Sequence, residues 1–204
     1  MHNRRFNLTR IVEEGDFVRK HLIDSLSVAP LIIRHQIHSL IDVGSGAGFP
    51  GIPLKVVLPT LRVLLLDASR KKVLFLEEVI RELNLGAITT RWDRAELAAR
   101  HRDLRESFDA AVARALKELR VTAELTLPFV RIGGILIAQK GPGCTDEIES
   151  AKRALSILGG NIESLQKLSL PDESGERILL TIRKVKPCPE DYPRRPGLPE
   201  KRPL

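Results

Sequence analysis

Aromatic residues are scarce: one Trp, one Tyr and six Phe make up 4% of 204 residues. So few argue against a broad stacking platform for nucleic-acid bases. They also leave the core to Leu, Ile, Val and Ala. The two cysteines, Cys144 and Cys188, have neither metal-ligand nor CxxC spacing. Both are expected as free thiols in a reducing compartment. No run of eighteen apolar residues occurs, and the N-terminus is polar. The expectation is therefore no membrane helix, no signal peptide and a cytoplasmic monomer. Histidines at 2, 21, 35, 38 and 101 are scattered. His35 and His38 lie three apart, but a strand is expected to begin at Gln36 and Ile37, so no metal site is read there. Walker loop, nucleophile elbow and HExxH are all missing. Internal repeats are missing too.

What is present is a 43% hydrophobic chain with a net charge of +7. The length suggests one domain, and the charge points to a polyanionic partner, nucleic acid first. Much of the excess is terminal. From Arg183 to Leu204 seven basic residues face three acidic ones, a local +4. Residues 187–204 hold six of the thirteen prolines. They cannot form a helix or central strand. This stretch is expected to be disordered or laid along a partner.

Between the termini, strand-like and helical runs alternate. Strands are expected at 40–43, 63–66, 88–92, 110–113 and 135–139. Helices are expected at 52–58, 71–83, 95–100, 116–125 and 147–158. Alternation predicts a parallel sheet with helices on both faces. Residues 1–36 read as a helical segment, with Asp16 as cap, Val18, Leu22 and Leu26 on one face, and Pro30 opening a further turn. The division expected is 1–36, 37–186 and 187–204. The last two strand-like runs, 162–170 and 177–184, are separated only by Pro171-Asp-Glu-Ser-Gly175, which makes a hairpin. A mostly parallel α/β sheet closed by an antiparallel strand is the class I methyltransferase arrangement, a Rossmann-like fold.

The first strand runs into Asp42-Val-Gly44-Ser-Gly46-Ala-Gly48-Phe49-Pro50-Gly51. Glycines at this spacing let backbone approach a nucleoside-bearing cofactor closely. The acidic-x-Gly-x-Gly-x-Gly form suits S-adenosylmethionine better than NAD. Gly46-Ala-Gly48-Phe-Pro-Gly51 also fits the dinucleotide fingerprint, but Pro50 biases Phe49 away from helical geometry where that helix would start.

In open α/β sheets, ligands bind beyond the carboxyl ends of the strands. After the second strand come Asp67 and Ser69. Asp67 suits ribose hydroxyls, or caps the next helix. After the third, Trp92 through Glu96 offers adenine contacts, though Asp93 reads equally as a cap and Glu96 as a solvated residue. After the fourth, Arg114 meets an anion or pairs with a carboxylate. After the fifth, Lys140 touches phosphate or is solvated. Arg70-Lys71-Lys72 faces nucleic acid or water. Arg194 and Arg195 complete the RNA-contact set with Arg70, Lys71 and Lys140.

The chain resembles the bacterial 16S rRNA guanine-N7 methyltransferases, the RsmG or GidB family. The resemblance rests on Asn7-Leu-Thr, Lys20-His-Leu-Ile-Asp-Ser-Leu26, the Asp42–Pro53 stretch, Leu66-Asp67, Arg94-Ala-Glu96, Phe108-Asp109 through Ala113-Arg-Ala115, Lys140-Gly141, and Tyr192-Pro-Arg-Arg-Pro-Gly with Lys201-Arg-Pro-Leu204. At the start, His2 stands where the family has a tryptophan. The resemblance implies that Gly44, Phe49, Ala95, Glu96 and Arg114 line an S-adenosylmethionine pocket, with Asp67 and its neighbours at the ribose. It implies a guanine in the decoding-region loop of the small ribosomal subunit's rRNA as substrate. Guanine N7 has a free lone pair, so catalysis is expected from proximity and orientation, with no catalytic side chain. Two other classes stay open: an NAD-dependent oxidoreductase, and a non-catalytic RNA-binding assembly factor.

Overall fold

A computed structural model describes residues 18–114, 116–170 and 175–204. The Asn7-Leu-Thr marker, the Asp16 cap and most of the final hairpin turn lie outside them. The described N-terminal segment opens as a π-helical stretch, Val18–Ile23, and runs into α1 (Asp24–Leu26). Helix α2 (Ala29–Arg34) follows, with Pro30 in its first turn, where no amide is needed.

Strand β1 spans Ser39–Val43 and does not start at Gln36, as the sequence predicts. Gln36 has φ 51° and lies in a turn. The strand starts where it does because the Asp109 carboxylate accepts the His38 and Ser39 amides at 2.9 and 2.8 Å. Burial disfavours that charge, but the bonds from Arg131, His38 and Ser39 outweigh it and hold Asp109 at a pKa of about 2.

The alternation then unfolds as β1–α3 (Gly51–Val57)–β2 (Arg62–Asp67)–α4 (Arg70–Glu82)–β3 (Ile88–Trp92)–α5 (Ala95–Ala98)–β4 (Phe108–Arg114)–α6 (Leu119–Thr126)–β5 (Val130–Lys140)–α7 (Thr145–Leu158). Two strands close it, β6 (Gly160–Ser169) and β7 (Glu176–Lys184), before a short α8 (Leu198–Lys201). The sheet order is β3-β2-β1-β4-β5-β7-β6. The first five strands pair in parallel, and β7 runs antiparallel between β5 and β6.

Successive side chains of a strand point to opposite faces. Leu40, Val63, Leu65, Val112 and Ile137 pack against α2, α3 and α4. Ile41, Leu66, Ala111, Leu136 and Leu180 pack against α6 and α7. Strands covered on both faces need an unbroken apolar run, which is how β1, β2 and β4 read. Edge strand β6 alternates half-buried with exposed residues, as a strand open on one face does.

The proline-rich end, expected to be disordered or laid along a partner, packs against its own chain. Residues 185–204 form a strap against the chain itself, and Tyr192 and Leu204 pack on the α6–α7 side of the core.

Candidate functional site

Parallel pairing puts the carboxyl ends of β1, β2, β3 and β4 at one edge. The antiparallel β7 brings its first residues to the same edge, with Lys140 opposite Ile178. The predicted residues Gly44, Gly46, Gly48, Phe49, Asp67, Ser69, Ala95, Glu96 and Arg114 all follow or end these strands.

The glycine loop is pinned to β2. The Gly44 and Ser45 amides donate to the Leu66 carbonyl at 2.8 and 3.1 Å. The Gly46 amide donates to one Asp67 carboxylate oxygen at 2.9 Å, and the Ser69 amide to the other at 2.8 Å. Asp67 therefore bridges two loops, and Lys72 stands 3.5 Å from it. It does not cap α4, whose N-cap residue is Ser69. Gly44 needs to be glycine twice over: its φ is +73°, and a Cβ would sit 2.7 Å from the Leu116 side chain. Gly51 has a different job. It opens α3, and its amide is taken at 2.9 Å by the Asp42 side chain. A dinucleotide pyrophosphate would need that helix start free.

Asp42 is wholly enclosed beneath the loop. One carboxylate oxygen takes the Gly51 amide, and the other has no hydrogen-bond partner among the described residues. Burial raises its pKa to about 7, with Asp67 repulsion adding to the rise and the Gly51 amide and Arg114 opposing it.

Arg114 ends β4. It donates to Asp24 at 3.3 Å, contacts His21 Nδ1 at 3.2 Å, and lies 5.1 Å over the Phe49 ring. His21 stacks on Phe49 at 4.8 Å with an 8° interplanar angle. Burial, then Arg114, lowers the His21 pKa against the pull of Asp24. A neutral imidazole is what lets Nδ1 accept from the guanidinium. Buried Asp24 also receives the Gln139 amide through its backbone carbonyl at 2.8 Å, and faces Arg177 at 3.4 Å. Of the two readings of Arg114, pairing with a carboxylate is what the geometry contains.

Asp24, Gln139 and Arg177 were missed by sequence reasoning. A signal for Asp24 existed: two polar residues, His21 and Asp24, three apart inside an apolar helical run.

The third-strand residues divide. Ala95 and Glu96 begin α5, and Glu96 is buried with its carboxylate on the Gly197 amide at 2.8 Å. Asp93 lies between Arg91 at 3.6 Å and His101 at 3.7 Å. Trp92 is exposed, with its indole N–H on the Ala68 carbonyl at 3.1 Å.

Lys140 and Arg194, both predicted phosphate contacts, are engaged inside the chain. Lys140 donates to Glu147 at 2.8 Å and to the Lys117 carbonyl. Arg194 is taken by Glu124, as close as 2.6 Å. Arg70, Lys71 and Arg195 are exposed, Arg70 with its guanidinium 5.5 Å over the Trp92 ring.

A cavity of about 800 Å³ lies elsewhere, along the β2–β3 face between Arg62, Thr89, Arg91 and Phe108. It does not contain the glycine loop. Among the described residues no group of His, Cys, Asp or Glu is placed to hold a metal, and no helix is long and apolar enough to cross a membrane.

The loop, Asp67 and the enclosed polar Asp42 suit an adenosine-bearing cofactor with a charged amino-acid end. Comparison with known proteins agrees. Residues 1–175 match the family model described as rRNA small subunit methyltransferase G. A protein of Carboxydothermus hydrogenoformans named ribosomal RNA small subunit methyltransferase G is 45% identical over 99% of this chain and 86% of its own length. One of the same name from Acetivibrio thermocellus is 47% identical over 99% of this chain and 83% of its own. Among solved structures, M. jannaschii TYW2 in complex with AdoMet superposes with a TM-score of 0.63 at 13% identity, over 86% of this chain and 78% of that one. A SAM-dependent O-methyltransferase of Thermotoga maritima gives 0.59 at 14%, over 90% and 70%. At such identities the likeness is one of fold, the class I methyltransferase sheet.

Proposed function

This chain belongs to the rRNA small subunit methyltransferase G family, and from that membership we propose that it transfers a methyl group from S-adenosylmethionine to N7 of a guanine in the decoding-region loop of 16S rRNA. The observation that carries the reading is the convergence of Gly44–Phe49, Asp67–Ser69, Ala95–Glu96 and Arg114 on one edge of the parallel strands.

In this reading Gly44, Gly46 and Gly48 admit the cofactor to the loop backbone. Asp67 accepts the ribose hydroxyls, exchanging its bond to the Gly46 amide for them. Ala95 and Glu96 hold the adenine side. Phe49 and Arg114 close the side where the base enters. When bound, S-adenosylmethionine supplies an activated sulfonium methyl. The chain's residues need remove no proton, because N7 offers a lone pair; their task is to bring the partners into line. N7 lies in the deep, narrow groove of A-form RNA, so the guanine must come from a loop or be splayed out. Exposed Arg70, Lys71 and Arg195 serve as phosphate contacts. The protein works as a cytoplasmic monomer on the small ribosomal subunit. Residues 1–36 are its N-terminal segment, 37–186 its methyltransferase body and 187–204 its tail.

The test is to map methyl groups on 16S rRNA from cells lacking this protein, then add purified protein and labelled S-adenosylmethionine to their small subunits. One decoding-region guanine should gain label at N7. Labelling of another position overturns the substrate, and binding without transfer supports the assembly-factor alternative.

A further inference from the structure

One buried bond at the site joins two parts of the chain itself. The Glu96 carboxylate, 7% exposed, accepts the Gly197 amide across 101 residues of chain. A charge-assisted bond of this kind is roughly twice as strong as a neutral one.

Gly197 comes to Glu96 from a fixed base. Three residues earlier, the Arg194 amide and guanidinium place three donors on the Glu124 carboxylate at 2.6 to 3.2 Å. Glu124 is wholly buried on α6. Arg105 donates to the carbonyls of Tyr192, Cys188 and Pro189 at 2.9 to 3.0 Å. Arg100 donates to Pro193 at 2.7 Å. Arg100 and Arg105 both follow α5, the helix that begins with Ala95 and Glu96. The strap is thus anchored on the two elements that flank this side of the site, and it reaches the pocket residue Glu96 through a backbone amide.

We propose that the C-terminal strap is a positioning element of the cofactor site: the Gly197 amide holds one oxygen of Glu96 and turns the other toward the adenosine end of S-adenosylmethionine. This rests on the reading that Glu96 lines that pocket. The strap itself does not touch the cofactor; it acts through Glu96.

The test uses Gly197→Pro, which removes the donor. Gly197 has φ +77°, which proline cannot adopt, so the change also displaces the strap backbone at this point. Should that chain not fold, Arg194→Met with Glu124→Gln frees the strap without orphaning a buried charge. Calorimetry gives the Kd for S-adenosylmethionine, and transfer assays give kcat and both KM values. The strap variants should raise the cofactor Kd and KM about five- to tenfold, with kcat and the KM for small subunits within about twofold. In a Glu96→Ala background the same changes should add nothing to Kd, as a double-mutant cycle requires of a contact acting through one residue. An unchanged Kd in a folded strap variant overturns the inference, as does an equal loss in the Glu96→Ala background. If Glu96→Ala alone leaves Kd unchanged, the pocket assignment falls and takes the inference with it.

Discussion

Arg114, the last residue of β4, donates to Asp24, ninety residues earlier, at 3.3 Å. This pair fastens the N-terminal segment across the carboxyl edge of the sheet, over the side where the base is read to enter. Arg114→Ala should cut methyl transfer by at least about a hundredfold and weaken cofactor binding. Breaking a buried pair costs about 3–5 kcal/mol when a charge is orphaned. Arg177 still faces Asp24, so a loss of about 2–3 kcal/mol in denaturant unfolding is expected. Unchanged binding and transfer would remove Arg114 from the site.

Asp42 makes stability depend on pH. Its pKa in the fold, about 7, lies above the ordinary 3.8. The folded chain therefore holds a proton that the unfolded chain has released, and stability is greatest below pH 4 as far as this group is concerned. It falls as pH rises from about 4 to about 7 and then levels. The rise corresponds to something on the order of 4 kcal/mol. Asp42→Asn keeps an acceptor for the Gly51 amide and has no proton to lose. Urea titrations at pH 5 and 8 should show the variant gaining on the parent at the higher pH.

Gly44→Ala should lose S-adenosylmethionine affinity while folding normally. The cost is mainly left-handed strain of about 1–2 kcal/mol, because the Leu116 methyl facing the new Cβ can move. Adding Leu116→Ala relieves the clash and leaves the strain, so affinity should recover only partly by calorimetry.

S-adenosylmethionine and NADH separate the two meanings of the glycine loop. The first should bind, with Asp67→Ala weakening it about tenfold or more through removal of the ribose bonds. NADH should give no heat, because the Gly51 amide is already held by Asp42. Binding of NADH alone would overturn the methyltransferase reading.

Subunit binding should weaken with salt. Neutralising Arg70 or Lys71 should lower the slope of log K against log salt by about 0.7–0.9 for each phosphate left without its cation. A change like Arg194→Ala should act on stability instead, because that guanidinium belongs to Glu124.

The strands and helices were legible because their apolar runs are long and are broken by turn residues; β2 and β7 extend no more than a residue beyond the runs read for them. Strand β1 opens one residue before the apolar run 40–43 read for it and three after Gln36, since nothing local reveals that Asp109, seventy residues on, takes the first strand amides. The carboxyl-edge residues were legible through the general rule for open sheets. The surroundings of Asp24 were not, because Arg114, Gln139 and Arg177 come together on it only when β4, β5 and β7 lie side by side in the sheet. The strap misled for a related reason. The prolines argued against any helix there, yet the four-residue α8 forms with Pro199 in its first turn, where no amide is needed. Composition could not show that the irregular backbone before it would be held by arginine side chains from the α5–β4 connection.

The chain's only tryptophan stands beside its acidic ribose candidate. Trp92 pairs across the sheet with Asp67, is 58% exposed, and carries Arg70 over its ring. A single emitter at that spot is a built-in optical gauge. A nucleoside settling at Asp67 would strip water from the indole and shift its emission to the blue, while rRNA drawing Arg70 away would alter its intensity. One unlabelled protein could then report the order in which its two substrates arrive.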